Sequence, residues 1–526
     1  MSRLKNFSRN LATSYVQLAV NVVYTIVSIP LIFHWLPKSE FGMWASLVQL
    51  MGYMSFIDMG MNSAMARLLV EHKDKKSNCN YGSLLKTAFL VSSTQAIVIL
   101  AVTILVAPLF AVILKVPPEH SGTFRSILNW QGLVTAFIFL MRPFNMMLYA
   151  HQRMDLQSYN DIANLIISFF LLVLLLSHGF GIFSFVYANA ATTLIGSLFL
   201  FWSCHRLRLT PKRGEWGAVS SKFFKEVFSY GNKIFLFDLG CQLQFASQTL
   251  VLYRAFGPEC AAAWAIGTKM FNLAFSLVSR PYGAALPGLM EMLARGESER
   301  LKARFRSISI LTASLGAFLA CSYVLGNSLF VSLWTSGKII WPQLNDYLLG
   351  VWIFILAMQT THCTFATVSK QFGAISYIFL AEGIIFILLT FTIGKYGGIA
   401  GMIGCSIFCT LIFSYQYGIR RSCKYFECSF GEIAFTWLRP SLKFAIAYLL
   451  LTLATSYATM YFSPLVRLIT HGLVAATAGI LLLLRLGLSQ DIVAEIVFRL
   501  PDRLAAWMRV IAGVKSQKTY FASRLN

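Results

Sequence analysis

Fourteen apolar stretches of about 20 residues follow one another along this chain of 526 residues, joined by short polar connections. As a helix, each is long enough to cross ~30 Å of hydrocarbon. Only 12% of the residues are charged and 57% are hydrophobic, with a mean hydropathy of +0.65. That balance excludes a water-soluble domain of this size. The fold class expected is an all-α polytopic membrane protein, with spans near 11–35, 41–66, 86–114, 123–149, 156–177, 181–204, 226–254, 259–286, 307–334, 343–369, 373–394, 397–419, 440–462 and 465–486. No small-residue cleavage site follows the first apolar run, which is therefore read as a retained helix.

Lys and Arg set the orientation. With a cytoplasmic N-terminus and one crossing per span, 33 of the 44 basic residues fall on the cytoplasmic side and 7 outside. This positive-inside bias places both termini in the cytoplasm. It also accounts for the net charge of +23 without nucleic-acid binding, because the charge sits where topology and an anionic leaflet want it. The outer loops are too short to fold into a catalytic domain, so no enzyme is expected. The ten cysteines are scattered, and Cys405 and Cys409 share a helix face as packing residues. No cofactor or metal site is expected. Gly397-x-x-x-Gly401 reads as a small-residue contact between helices.

The chain echoes itself at an offset near 220. Trp44 matches Trp264, Ala64 matches Ala284, Glu71 matches Glu291, and Phe180-Gly181-Ile182 lies against Gly397-Gly398-Ile399. Six spans per half give both halves the same polarity, a parallel repeat about an axis along the membrane normal. The expected organisation is an N-terminal bundle at 1–205, a cytoplasmic linker at 206–225, a C-terminal bundle at 226–421, two further helices within 422–488 and a cytoplasmic amphipathic tail at 489–526. Two six-helix bundles with a seam are a transporter architecture, the site lying in the seam.

Four bases fall inside the spans: Arg142, Lys233, Lys269 and Arg280. Facing lipid, each would cost about 2.5–3.5 kcal/mol or more, so each should face a cavity or a partner. Pro281 should break the eighth helix just after Arg280. The intramembrane acids are Asp58, Asp238 and Glu382, candidates for ion pairs or ion coupling, with Asp58 able to reach Arg142 across helices 2 and 4. Four bases against three acids leave a cationic lining suited to phosphate or pyrophosphate. Gln17, Asn21, Gln242, Gln244, Gln359, Thr360, Thr361 and His362 add uncharged polar groups, His362 as a packed residue rather than a proton relay.

The stretch from Phe41 to Arg67 contains Asp58-Met-Gly60 followed by a small-residue run. It resembles the second-helix signature of bacterial polysaccharide and O-antigen flippases of the multidrug/oligosaccharidyl-lipid/polysaccharide exporter superfamily. The resemblance marks Asp58, Gly60 and Arg67 as signature positions. It implies a lipid-linked oligosaccharide as substrate, membrane lipids and polysaccharide polymerase or assembly proteins as partners, and an inner-membrane location. Two alternatives stand beside it. A multidrug cation antiporter of the same superfamily would need an acidic or aromatic lining. A membrane polysaccharide polymerase would need an acid/base or metal site in a sizeable outer loop.

Overall fold

The computed structural model describes residues 2–72, 80–114, 116–151, 153–212, 214–368, 374–488 and 492–493. Apart from residues 492 and 493, the expected amphipathic tail lies outside these described residues. So does Lys370. The chain is helical, with no strand among the described residues. The first half comprises α1 (Ser2–Trp35), α2 (Lys38–Gly52), α3 (Met61–His72), α4 (Asn80–Ile113), α5 (Pro118–Ala150), α6 (Met154–Ser177), α7 (Phe183–Arg206), α8 (Ser221–Phe245) and α9 (Ser247–Phe256). The remainder comprises α10 (Pro258–Gly267), α11 (Lys269–Ala294), α12 (Ser298–Trp334), α13 (Gln343–Val368), α14 (Ile375–Thr392), α15 (Gly398–Thr410), α16 (Gln416–Phe426), α17 (Arg439–Ala458), α18 (Pro464–Val474) and α19 (Ile480–Leu482).

Helix starts and stops follow local chemistry. Pro118, Pro258 and Pro464 open their helices, where the missing N–H costs nothing. Gly257, at φ 87°, ends α9 immediately before Pro258 starts α10. Ser220 caps α8 by accepting the Phe223 N–H at 3.4 Å.

Among the described residues, eleven helices are each long and apolar enough to cross a membrane, and α10 with the first part of α11 forms a twelfth span bent by 40°. The two other expected spans, 41–66 and 226–254, are interrupted. The first breaks into α2, a 3-10 turn at Tyr53–Asp58 and α3; the second breaks at Ala246 between α8 and α9. Hydropathy registers the apolar run but not a break within it.

The packing divides the chain after Ala262. This is later than the boundary expected at the 206–225 connection, because α8 and α9 belong with the first unit. Phe223 and Val227 join a buried cluster with Met61, Met65, Leu69, Leu84, Ala88 and Met146. The connection itself is held on α4: the Tyr81 hydroxyl donates to the Leu209 carbonyl at 3.2 Å, Lys86 Nζ to the Trp216 carbonyl at 3.2 Å, and the Ser220 N–H to Thr87 Oγ1 at 3.2 Å. The close approach requires Gly82, where a Cβ would lie 2.1 Å from the Glu215 carbonyl oxygen.

The second unit packs around α13, whose span is 72% buried, whereas the span beginning at α18 is only 11% buried and presents its surface to lipid. Phe305, Phe365 and Phe426 stack at centroid distances of 4.6–5.1 Å above Trp437. Within the two units, matching helix pairs pack alike: α4 with α5 and α12 with α13, α6 with α7 and α14 with α15, α5 with α7 and α13 with α15. The repeat suggested by scattered identities is thus present in the packing. The extra helices α17 and α18 lie on α12, tied by Ser322 to the Tyr448 hydroxyl at 2.8 Å and by His471 Nδ1 to the Leu325 carbonyl at 2.8 Å. Gly397 and Gly401 do not join two helices. A Cβ on Gly397 would lie 2.7 Å from the Gly401 Cα and one on Gly401 2.5 Å from the Gly394 carbonyl oxygen, so the spacing serves the tight entry into α15.

Candidate functional site

The sequence Asp58-Met59-Gly60 lies at the break in the second span. Met59 and Gly60 adopt φ of 48° and 70°, the left-handed region, which ends the 3-10 turn and starts α3 in a new direction. A break in a span frees backbone groups that lipid cannot satisfy. Here the protein satisfies them. Asp58 Oδ2 accepts the Asn62 N–H at 3.3 Å, capping α3. Gln95, buried on α4, donates Nε2 to the carbonyls of Ile57 and Asp58 at 3.2 and 3.3 Å.

Asp58 Oδ1 also accepts from Arg142 Nη1 at 2.7 Å, with the two side chains 15% and 20% exposed. The pairing expected across helices 2 and 4 is therefore made, between the break and α5. The Arg142 guanidinium lies 3.3 Å from the Phe139 ring centroid, one turn earlier on α5. Phe235 of α8 meets Phe56 edge-on at 6.0 Å. Asp238, one turn further along α8, is exposed and near enough to feel the Asp58 charge. Asp58 and Arg142 thus form one partly buried ion pair in the first unit. Lys233 lies on α8, but its side chain is outside the described ones. The Arg67 side chain is likewise outside them.

In the second unit the eighth span bends at Thr268, not at Pro281, which lies inside a continuous α11. The reason is the packing on Gly267. Its carbonyl accepts from the Tyr323 hydroxyl at 3.2 Å and from Asn327 Nδ2 at 3.1 Å. The Trp341 ring occupies the space a Cβ on Gly267 would need, 2.2 Å away. Asp346 holds this arrangement by accepting from Asn327 Nδ2 at 2.8 Å, Trp341 Nε1 at 2.6 Å and the Ser328 N–H at 2.9 Å. Lys269 is the first residue after the bend. It is partly buried and has no hydrogen-bond or ion-pair partner among the described residues. Arg280 is partly buried, three turns further along α11.

Glu382, on α14, is fully buried, and its Oε2 accepts the Ser414 N–H at 3.2 Å from a π-turn at Leu411–Tyr415. His362 is packed, as expected: it is buried against Phe305, with Nδ1 2.8 Å from Ser422 Oγ. Gln17 Nε2 donates to Asp161 Oδ2 at 2.8 Å, joining α1 to α6. Cys405 and Cys409 are buried free thiols, and no three metal-ligating side chains cluster among the described residues. Sequence reasoning missed Gln95, Phe139 and the Asp346 network. A glutamine inside the apolar Phe89–Ile113 run was the available signal for Gln95. Nothing in sequence marks a ring beneath an arginine.

A profile of the polysaccharide biosynthesis protein family matches residues 9–293, more than half of the chain. The chain belongs to the polysaccharide biosynthesis protein family. No curated protein sequence matches it. Its fold is shared with solved transporters at low identity. An inward-facing multidrug resistance MATE family transporter of the MOP superfamily is 11% identical, with a TM-score of 0.65 over 78% of this chain and 96% of that one. The lipid II flippase MurJ, in an inward closed conformation, is 13% identical, with a TM-score of 0.62 over 89% of this chain and 97% of that one. A MOP superfamily transporter from Pyrococcus furiosus, described as having a binding pocket of reversed polarity, is 12% identical, with a TM-score of 0.54 over 81% and 97%. Family and fold make this chain a multi-pass helical membrane protein of the polysaccharide biosynthesis protein family, with the fold of those solved transporters.

Proposed function

We propose that this protein flips an anionic polyprenyl-(pyro)phosphate-linked oligosaccharide from the inner to the outer leaflet of the cytoplasmic membrane, supplying O-antigen, capsule or exopolysaccharide assembly. Both termini are cytoplasmic, and access alternates between the two bundles. The observation that carries the reading is Lys269, a partly buried ammonium at a helix bend within a span, with no carboxylate beside it among the described residues. Such a charge is costly unless an anion visits it. Arg142, held by Asp58, and Lys233 in the first unit and Arg280 in the second are the other cations proposed to meet substrate. Lipid II, named for the MurJ neighbour, is itself a lipid-linked substrate, which supports this class of cargo. The lipid tail stays in the bilayer while the sugar and phosphate cross the polar lining, so no bond is made or broken.

Cells lacking the protein should still make lipid-linked units, which then accumulate on the inner leaflet while surface polysaccharide falls. One feature favours a second reading, the multidrug cation antiporter: Asp238 is exposed close to Asp58 and could attract a cation. Loss of drug resistance with normal surface polysaccharide in the same cells would select that reading.

A further inference from the structure

A crevice of about 310 Å³ lies in the second unit, away from Asp58, Arg142 and Lys269 in the sequence and lined by α14, the π-turn at Leu411–Tyr415 and α16. α16 has two faces. Gly418, Ile419, Ser422 and Phe426 are buried. Gly418 is tight against α13, where a Cβ would lie 3.0 Å from Cys363 Sγ, and Ser422 bonds His362. The opposite stripe, at helical spacing, carries Tyr417, Arg420, Arg421 and Lys424, and all four line the crevice. The other wall is apolar: Ile378 of α14 with Ile412 and Phe413 of the π-turn.

Two observations show that the described residues supply no counter-charge to the crevice. Among the described residues, Arg420, Arg421 and Lys424 have no ion-pair partner. Arg421 Nε is buried without a hydrogen-bond partner, a costly state for a guanidinium. The apolar wall continues along the helices, where Tyr377, Ile384, Leu388 and Phe391 of α14 and Phe408 of α15 are exposed large side chains. Three convergent cations at one end of an exposed apolar surface suit a phosphate carried on apolar chains, and an anionic glycerophospholipid is the source of it that the surrounding leaflet supplies. By the positive-inside reading, this end of α16 faces the cytoplasm.

We propose that this crevice is a binding site for an anionic glycerophospholipid of the cytoplasmic leaflet. Arg420, Arg421 and Lys424 hold its phosphate, and its acyl chains lie against α14 and α15. The π-turn widens the helix where the lipid enters, consistent with the occurrence of such turns at functional sites. The crevice uses different residues from those of the proposed transport path, and the inference does not depend on that proposal.

The test is thermal unfolding and native mass spectrometry of the purified full chain in detergent, titrated separately with dioleoylphosphatidylglycerol, dioleoylphosphatidylcholine, a polyprenyl phosphate and inorganic phosphate. Phosphatidylglycerol should raise Tm saturably and remain bound in the gas phase, while phosphatidylcholine and inorganic phosphate do neither. The double variant Arg420→Gln/Lys424→Gln changes only exposed side chains and should keep the lipid-free Tm, but bind phosphatidylglycerol at least about tenfold more weakly. Adding Arg421→Gln should abolish the response. An equal response to phosphatidylcholine, an equal response to inorganic phosphate or an undiminished response in the double variant would overturn the proposal. So would a response confined to the polyprenyl phosphate, which would place the crevice on the transport path. The contrast between lipids on the wild-type protein decides the matter even if a variant fails to fold.

Discussion

Arg142→Gln should destabilise the first unit, and pairing it with Asp58→Asn should restore much of the loss. Asp58 and Arg142 are 2.7 Å apart, with side chains only 15% and 20% exposed. Breaking a buried pair by removing one partner costs 3–5 kcal/mol, and this residual exposure puts the expected single-variant cost near the lower end, about 3 kcal/mol. Asparagine keeps an oxygen to accept the Asn62 N–H, so Asp58→Asn reports the charge rather than the helix cap. The double variant leaves no stranded charge, so its cost should fall below the sum of the two singles by about 1–3 kcal/mol. Reversible unfolding of the four proteins in one mild detergent, followed by tryptophan fluorescence, gives the cycle. Additivity within about 0.5 kcal/mol would refute the idea that this pair holds the broken second span in place.

Gly60→Ala should cost about 1–2 kcal/mol, because Gly60 sits at φ 70° where an alanine is strained, and should lower Tm in the same unfolding assay. Gly82→Ala should push the 207–220 connection off α4, since its Cβ would lie 2.1 Å from the Glu215 carbonyl oxygen; limited proteolysis should then cut the connection faster than in wild type. A phosphatase reporter, active only outside, should be silent after Asn526 and active near Lys338, and an active C-terminal fusion would contradict an even number of crossings.

Apolar length made the class of fold legible, because a run near 20 residues has few other uses. Hydropathy was blind to what happens inside a run. Gly60 and Asp58 announce a turn, yet the apolar window around them reads as one helix from 41 to 66. Pro281 showed the opposite failure: a proline in a sequence marks a break, but neighbouring helices in a membrane tolerate it, and the bend moved to Gly267, where Trp341, Tyr323 and Asn327 take the backbone in hand. The charged residues of the proposed site were legible as candidates, since an ionisable residue in a span is costly. Its pairing of Asp58 with Arg142 could be foreseen, because two opposite charges on nearby helices have strong reason to meet. The polar supports could not. Gln95 contributes through its reach to two carbonyls, and Asp346 through three donors, Asn327, Ser328 and Trp341, that are not adjacent to it in sequence.

The most direct measurement of the proposed function is leaflet exchange of a fluorescent polyprenyl-pyrophosphate-linked oligosaccharide in proteoliposomes containing only this protein. Wild type should move the labelled lipid to the opposite leaflet. Lys269→Ala should slow it at least about tenfold, the loss of roughly one charge-assisted contact. Lys395→Ala, an exposed turn residue beside Tyr396, should leave the rate near wild type. A wild-type protein that leaves the labelled lipid in place while moving a cationic dye, or a Lys269→Ala variant that flips at the full rate, would contradict the account.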